Sequence, residues 1–167
     1  MDYIFSFTLL AFIYFIFFYR RWNKTLHTLI INSLMYLYVV MVLYVTVMPF
    51  TFSFWGTNNS FMETANFIPF RDLRLHYHGA AKEIILNIIM MIPFGFLYPS
   101  IKKSGVLKTV LTTLLFSLII ETSQLFGVWL DSSRTRIFDV TDLITNTFGG
   151  FIGFLFMFFI KIWLQKK

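Results

Sequence analysis

The chain has 167 residues, of which 57% are hydrophobic, 21% aromatic and only 13% charged, about half the charged share of an ordinary soluble domain. This composition excludes a soluble globular domain, and the absence of cysteine excludes disulfides and thiol catalysis. A formal net charge of +6 would suggest nucleic acid in a soluble chain, but here the charges sit almost entirely between apolar runs, which leaves no support for such a partner.

Taken in order, five stretches approach the roughly 20 apolar residues needed to cross a bilayer. Tyr3 to Tyr19 comes first. It is expected to be a retained helix, because Met1-Asp2-Tyr3 lacks the positive start of a signal peptide and no Ala-x-Ala-like site follows. Thr28 to Phe50 is the second. The long connection Thr51 to Lys82 carries Trp55, Phe61, Phe67 and Phe70, aromatics suited to the membrane interface. The third stretch, Glu83 to Pro99, is short and expected to be broken at Pro93. Val106 to Leu130 and Asp139 to Ile160 complete the set. The fold class is therefore all-α: a polytopic membrane bundle of five transmembrane helices in one domain, residues 1–167, with no linker-like tract or internal repeat.

Lysine and arginine orient it. Arg20, Arg21 and Lys24 follow the first stretch, Lys102, Lys103 and Lys108 lie between the third and fourth, and Lys161, Lys166 and Lys167 close the chain, with no acid in any of these segments. These ends are expected in the cytoplasm. Asp2, Glu63, Asp72, Asp131 and Asp139 fall on the other side, mixed with Arg71, Arg74, Lys82, Arg134 and Arg136, which is expected to place the N-terminus outside and the C-terminus inside.

The polar residues within the stretches form faces. In the fifth, Asp139, Asp142, Asn146, Gly149 or Gly150, and Gly153 recur at helical spacing over an arc of roughly 100°. One reading is carboxylates capping the positive helix end, followed by close packing through glycines; the other is a functional stripe. Thr113, Ser117, Glu121 and Gln124 line one side of the fourth stretch. Glu121 is costly inside a membrane unless paired, protonated or hydrated, and a carboxylate there is a functional candidate; it also fits as an interhelical glue residue bonded to Arg134, Arg136 or Asn146. In the third stretch Glu83 and Asn87 precede Pro93, whose missing donor frees the carbonyl of Ile89 and marks either a cavity or a kink. Counting helical rise from the nearest ends, Asn87, Glu121 and Asn146 share the outer leaflet. A small outward-open polar chamber is expected among these three stretches, covered by Asn66 to Phe70 and Arg71 to Arg74. His76 and His78 lack an evident third ligand and suit a solvated loop better than zinc; no metal and no cofactor are expected.

The blocks Asn66-x-x-Pro69-Phe70, Asn87 ahead of Ile92-Pro93-Phe94-Gly95, Glu121-x-x-Gln124, and Arg136-x-x-Asp139-x-x-Asp142-x-x-x-Asn146-x-x-Gly149-Gly150-x-x-Gly153 together resemble the VanZ family. The resemblance spans residues 66–153, with little signature in the two N-terminal stretches. It implies a small protein of the bacterial plasma membrane with a cell-envelope role, since the family's namesake is associated with resistance to teicoplanin and related lipoglycopeptides.

Three functional classes follow. The first is a non-catalytic protein binding a lipid-linked cell-wall molecule or a lipoglycopeptide antibiotic. Its expected contacts are Asn66, Arg71, Asn87, Glu121, Gln124, Arg136, Asp139, Asp142 and Asn146, with Arg71 and Arg136 on an anionic head group and Asn87 and Asn146 orienting it. The second is an intramembrane enzyme acting on a lipid-linked phosphate, with Glu121 as acid or base and Asp139 and Asp142 on a divalent cation. The third is a transporter using Glu121 as a proton site. No nucleophile motif or full metal set is recognisable, which favours binding.

Overall fold

A computed structural model describes residues 2–19, 25–48, 58–130 and 137–166. Among them the chain is helical: α1 (Asp2–Tyr19), α2 (Leu26–Thr46), a 3-10 turn at Phe61–Thr64, the short α3 (Arg71–Arg74), α4 (Ala80–Lys102), α5 (Val106–Leu130) and α6 (Val140–Gln165). There is no strand among the described residues, only an isolated parallel bridge between Asn66 and Asp139. Helices α2, α4, α5 and α6 are long and apolar enough to cross a membrane, with mean hydropathies of 2.0, 1.9, 1.5 and 1.9. The protein is a membrane protein. Helix α1 is equally apolar but shorter, 18 residues.

Local interactions set the limits of α2 and the end of α4. Thr25 caps α2 by accepting from the amide of Thr28. The same helix stops at Thr46, three residues before Pro49, and the amides of Val47 and Met48 fold back on the carbonyl of Leu43. Lys103 takes a left-handed conformation, φ 51°, after α4, and Ser104-Gly105 completes a three-residue link into α5. So short a link makes α4 and α5 antiparallel neighbours.

The third stretch is not interrupted at Pro93: helix α4 continues over 23 residues, with Pro93 and Pro99 inside it. Each proline removes a single donor, and a helix flanked by others tolerates that loss. Pro93 itself is exposed, on the face carrying Ile89, also exposed, so its ring faces away from the packed interior. Replacing Pro93 by alanine restores the missing amide opposite the Ile89 carbonyl. The variant is expected to melt at or above the wild-type temperature in detergent; a clear fall would show that the bundle needs the proline.

Helix α4 is the hub. On one side Met91 and Phe94 meet Val42 of α2 and Ile120 of α5, all four buried. The Phe94 ring stacks on Phe116 at 5.0 Å and on Tyr98 at 5.6 Å, and Tyr38 of α2 donates to the Met90 carbonyl at 3.0 Å. On the other side α6 lies against α4 in the same direction, backbone to backbone. A methyl at Gly149 would overlap the carbonyl of Ile88, one at Gly153 that of Ile92, and one at Gly95 that of Gly150; a methyl at Gly150 would strike the side chain of Thr113 on α5. The glycines of the stripe thus serve close packing, where small residues replace the hydrophobic drive that lipid cannot supply. Helix α1 is peripheral, held to α2 by Tyr14 donating to Ser33 at 3.3 Å, by Tyr36 donating to the Leu10 carbonyl, and by rings such as Tyr3 against Tyr44.

One end of the α4–α5–α6 unit carries Lys102, Lys103, Lys108, Lys161 and Lys166 with no described acid, whereas the other mixes Glu63, Asp72, Glu83, Asp139 and Asp142 with Arg71, Arg74 and Lys82. Trp55, Arg20, Arg21, Lys24, Asp131, Arg134, Arg136 and Lys167 lie outside the described residues.

Candidate functional site

The site is assembled where α6 begins. Asp139 is the N-cap: one carboxylate oxygen accepts from the amide of Thr141 at 2.6 Å, satisfying an orphan donor of the first turn. Its other oxygen accepts from the Asn66 side-chain amide at 2.8 Å. The backbones join as well, Asn66 amide to Phe138 carbonyl at 2.8 Å and Val140 amide to Asn66 carbonyl at 3.0 Å. Asn66 also turns its own chain, its side-chain oxygen accepting from the amide of Ile68 at 3.2 Å. The next residues end at Phe70, φ 55°, whose amide donates to the Thr141 hydroxyl at 3.0 Å. The segment before α4 therefore covers the start of α6, and Asn66 is 1% exposed.

Beneath it, Glu121 of α5 is buried at 1% exposure and accepts from the amide of Asp139 at 2.9 Å. Glu121, Asp139 and Asn66 thus form one polar cluster joining α5, α6 and the segment before α4. Thr109, Thr113, Ser117, Glu121 and Gln124 are all buried, so the polar side of α5 faces inward as its spacing implies.

The expected chamber of Asn87, Glu121 and Asn146 is divided differently. Glu121 is level with the residue preceding α6, while Asn146, also 1% exposed, sits one turn of α5 deeper and donates to Ser117 at 2.9 Å. The Asn146 side-chain oxygen is buried without a hydrogen-bond partner. Asn87 is half-buried and makes no side-chain hydrogen bond among the described residues. Gln124 turns toward α2, donating to the Thr46 carbonyl at 3.1 Å. There it satisfies a helix-end acceptor. Arg71 pairs with Asp72 at 3.0 Å in a partly exposed ion pair, which contributes little to stability. Arg74 donates to the Pro69 carbonyl at 2.8 Å. His76 and His78 are exposed.

Among the described residues, a small, half-open cleft lies at the end that carries the acids, between the α3 segment and the starts of α4 and α6, with room for about one water-sized molecule. Asp72, Glu83, Asp139 and Asp142 line it, with Phe70, Leu73 and Ile84 as apolar walls and Thr141 between. Asp142 occupies the first turn of α6, where a carboxylate is favoured by the helix dipole. Among the described residues, no three His, Asp or Glu side chains converge as a metal-ligand set. Thr141 escapes a reading from sequence because a lone threonine carries no signal; its place two residues after an N-cap aspartate is the one available clue.

The family model described as VanZ/LLP1 matches residues 35–161. The chain belongs to the VanZ family. Protein VanZ of Enterococcus faecium is 31% identical over 124 residues, covering 73% of this chain and 70% of that protein. No solved structure matches the chain. The match extends beyond residues 66–153 into the second half of α2, contrary to the expectation that the N-terminal helices carry little signature. That half of α2 carries residues that meet α4 and α5, among them Met35, Tyr38, Val42 and Thr46.

Proposed function

We propose that this VanZ family member works in the bacterial plasma membrane as a five-span protein, N-terminus outside and C-terminus cytoplasmic. In this reading its acidic end recognises a lipid-linked cell-wall molecule or a lipoglycopeptide, and it contributes to teicoplanin-type resistance. The carrying observation is the cleft beside the Glu121–Asp139–Asn66 cluster, which opens at the end of the bundle that the charge distribution assigns to the outside. Phe70, Leu73 and Ile84 beside the cleft give an apolar surface against which an acyl chain of the outer leaflet would lie, without entering the bundle. The carboxylates around them favour a head group rich in hydrogen-bond donors over a bare phosphate, which also weighs against hydrolysis of a lipid phosphate. Arg71 and Arg136 remain the cations proposed to meet any acidic group on the ligand.

The orientation is tested with single cysteines, for which the cysteine-free chain is ready. Lys103→Cys should resist an impermeant maleimide added to intact cells, and Glu63→Cys should react. Labelling of Lys103→Cys from outside would overturn the topology and the outward cleft together. The activity is tested by expressing the chain in a susceptible Gram-positive host. Tolerance should rise for teicoplanin and other lipoglycopeptides more than for vancomycin, because a site at the lipid boundary acts on the lipidated drugs; equal shifts, or none, would reject the reading.

A further inference from the structure

We propose that the lysine-bearing end of the bundle, opposite the cleft, is a binding surface for the anionic head groups of phospholipids. Lys102 and Lys103 end α4, Lys108 lies in the first turn of α5, and Lys161 and Lys166 lie in the last turns of α6 and at its end; all five are exposed. Their proximity follows from the helix packing. Gly95 lies against Gly150 and Gly153 against Ile92, so seven residues further along both parallel helices Lys102 comes within about one turn of Lys161. The three-residue link Lys103-Ser104-Gly105 returns Lys108 to the same level. None of the five ammonium groups has an ion-pair or hydrogen-bond partner among the described residues, and the acids of the segments from the 3-10 turn to α6 that are described, Glu63, Asp72, Glu83, Glu121, Asp139 and Asp142, lie toward the other end.

Five unneutralised cations on adjoining helix ends repel one another and require counter-ions. A lipid phosphate is the counter-ion that a membrane holds at that depth, and each lysine close to an anionic leaflet favours it by about fivefold in affinity. Long lysine stems also let the charge reach the head-group layer while their methylenes stay beside the acyl chains.

The test uses the full chain in nanodiscs of equal parts phosphatidylcholine and phosphatidylglycerol, with the lipids kept after gentle detergent extraction counted by native mass spectrometry. Phosphatidylglycerol should be retained in preference, and the preference should fall as salt shortens the screening length from about 10 Å at 0.1 M to about 3 Å at 1 M. The Lys102→Gln, Lys103→Gln, Lys108→Gln triple variant should lose roughly fivefold or more of that preference, and the matching triple arginine variant should keep it. Should the glutamine variant fail to fold, the salt titration of the wild type and the arginine variant decide the matter alone. Equal retention of the two lipids, a preference indifferent to salt, or its complete displacement by millimolar inorganic phosphate would overturn the proposal, the last by showing a site for free anions instead of lipid.

Discussion

Gly95→Ala is expected to be among the most damaging single methyl additions in this protein. A Cβ at Gly95 would lie on top of the Gly150 backbone, and neither a rotamer change nor a flexible side chain can yield, because both contacting surfaces are main chain. The helices must move apart, and the neighbouring contacts of Gly149 with Ile88 and Gly153 with Ile92 loosen with them. Overpacking of this kind costs about 1–3 kcal/mol and sometimes more, and in a bundle whose helices associate through packing there is little other drive to compensate. Gly105→Ala is the control. Its added methyl meets nothing within 4 Å and its backbone does not have positive φ, so alanine there should cost no more than the modest loss expected at a position just before a helix, well below that of Gly95→Ala. Thermal denaturation of the two variants in the same detergent checks both statements. Equal melting temperatures would mean that the α4–α6 contact is not the main support of the bundle.

The second large effect is expected at Glu121. Glutamine retains an oxygen that can accept the Asp139 amide, so Glu121→Gln should fold and reach the membrane as the wild type does. Leucine removes that acceptor and leaves a buried amide unmatched, a cost of about 1–3 kcal/mol, so Glu121→Leu should express poorly or melt early. If the carboxylate serves the proposed recognition of an envelope ligand, Glu121→Gln will also abolish the lipoglycopeptide tolerance conferred by the chain, and Asp142→Asn, at the cleft, will do the same. Wild-type tolerance from Glu121→Gln at wild-type expression would assign Glu121 to architecture alone, as the residue that holds the start of α6 against α5.

Much of this protein was decided by its sequence. The apolar runs are long enough that only helices can satisfy their backbone in lipid, and their limits follow from proline, glycine and charge: α5 spans Val106 to Leu130 as the apolar pattern indicates. The inward side of α5 follows from spacing, because a helix turns about 100° per residue and polar side chains at every third or fourth position share one face. Asp139 as a cap was legible for the same local reason: its hydrogen bond spans two residues.

Partners across the bundle were not legible. Asn66 meets Asp139 across 73 positions and Gln124 meets Thr46 across 78, and periodicity names the face of a helix without naming what lies against it. Depth failed for a related reason. Counting rise from the end of α5 places Glu121 about 13 Å down and near Asn146, but the helix ends do not share a plane. Helix α5 continues past the start of α6, so Glu121 meets Asp139 and Ser117 meets Asn146. That axial offset is set by where Gly149, Gly150 and Gly153 allow α6 to settle against α4 and α5. Backbone-to-backbone fit between helices is a property of two surfaces together, and neither helix carries it in its own sequence.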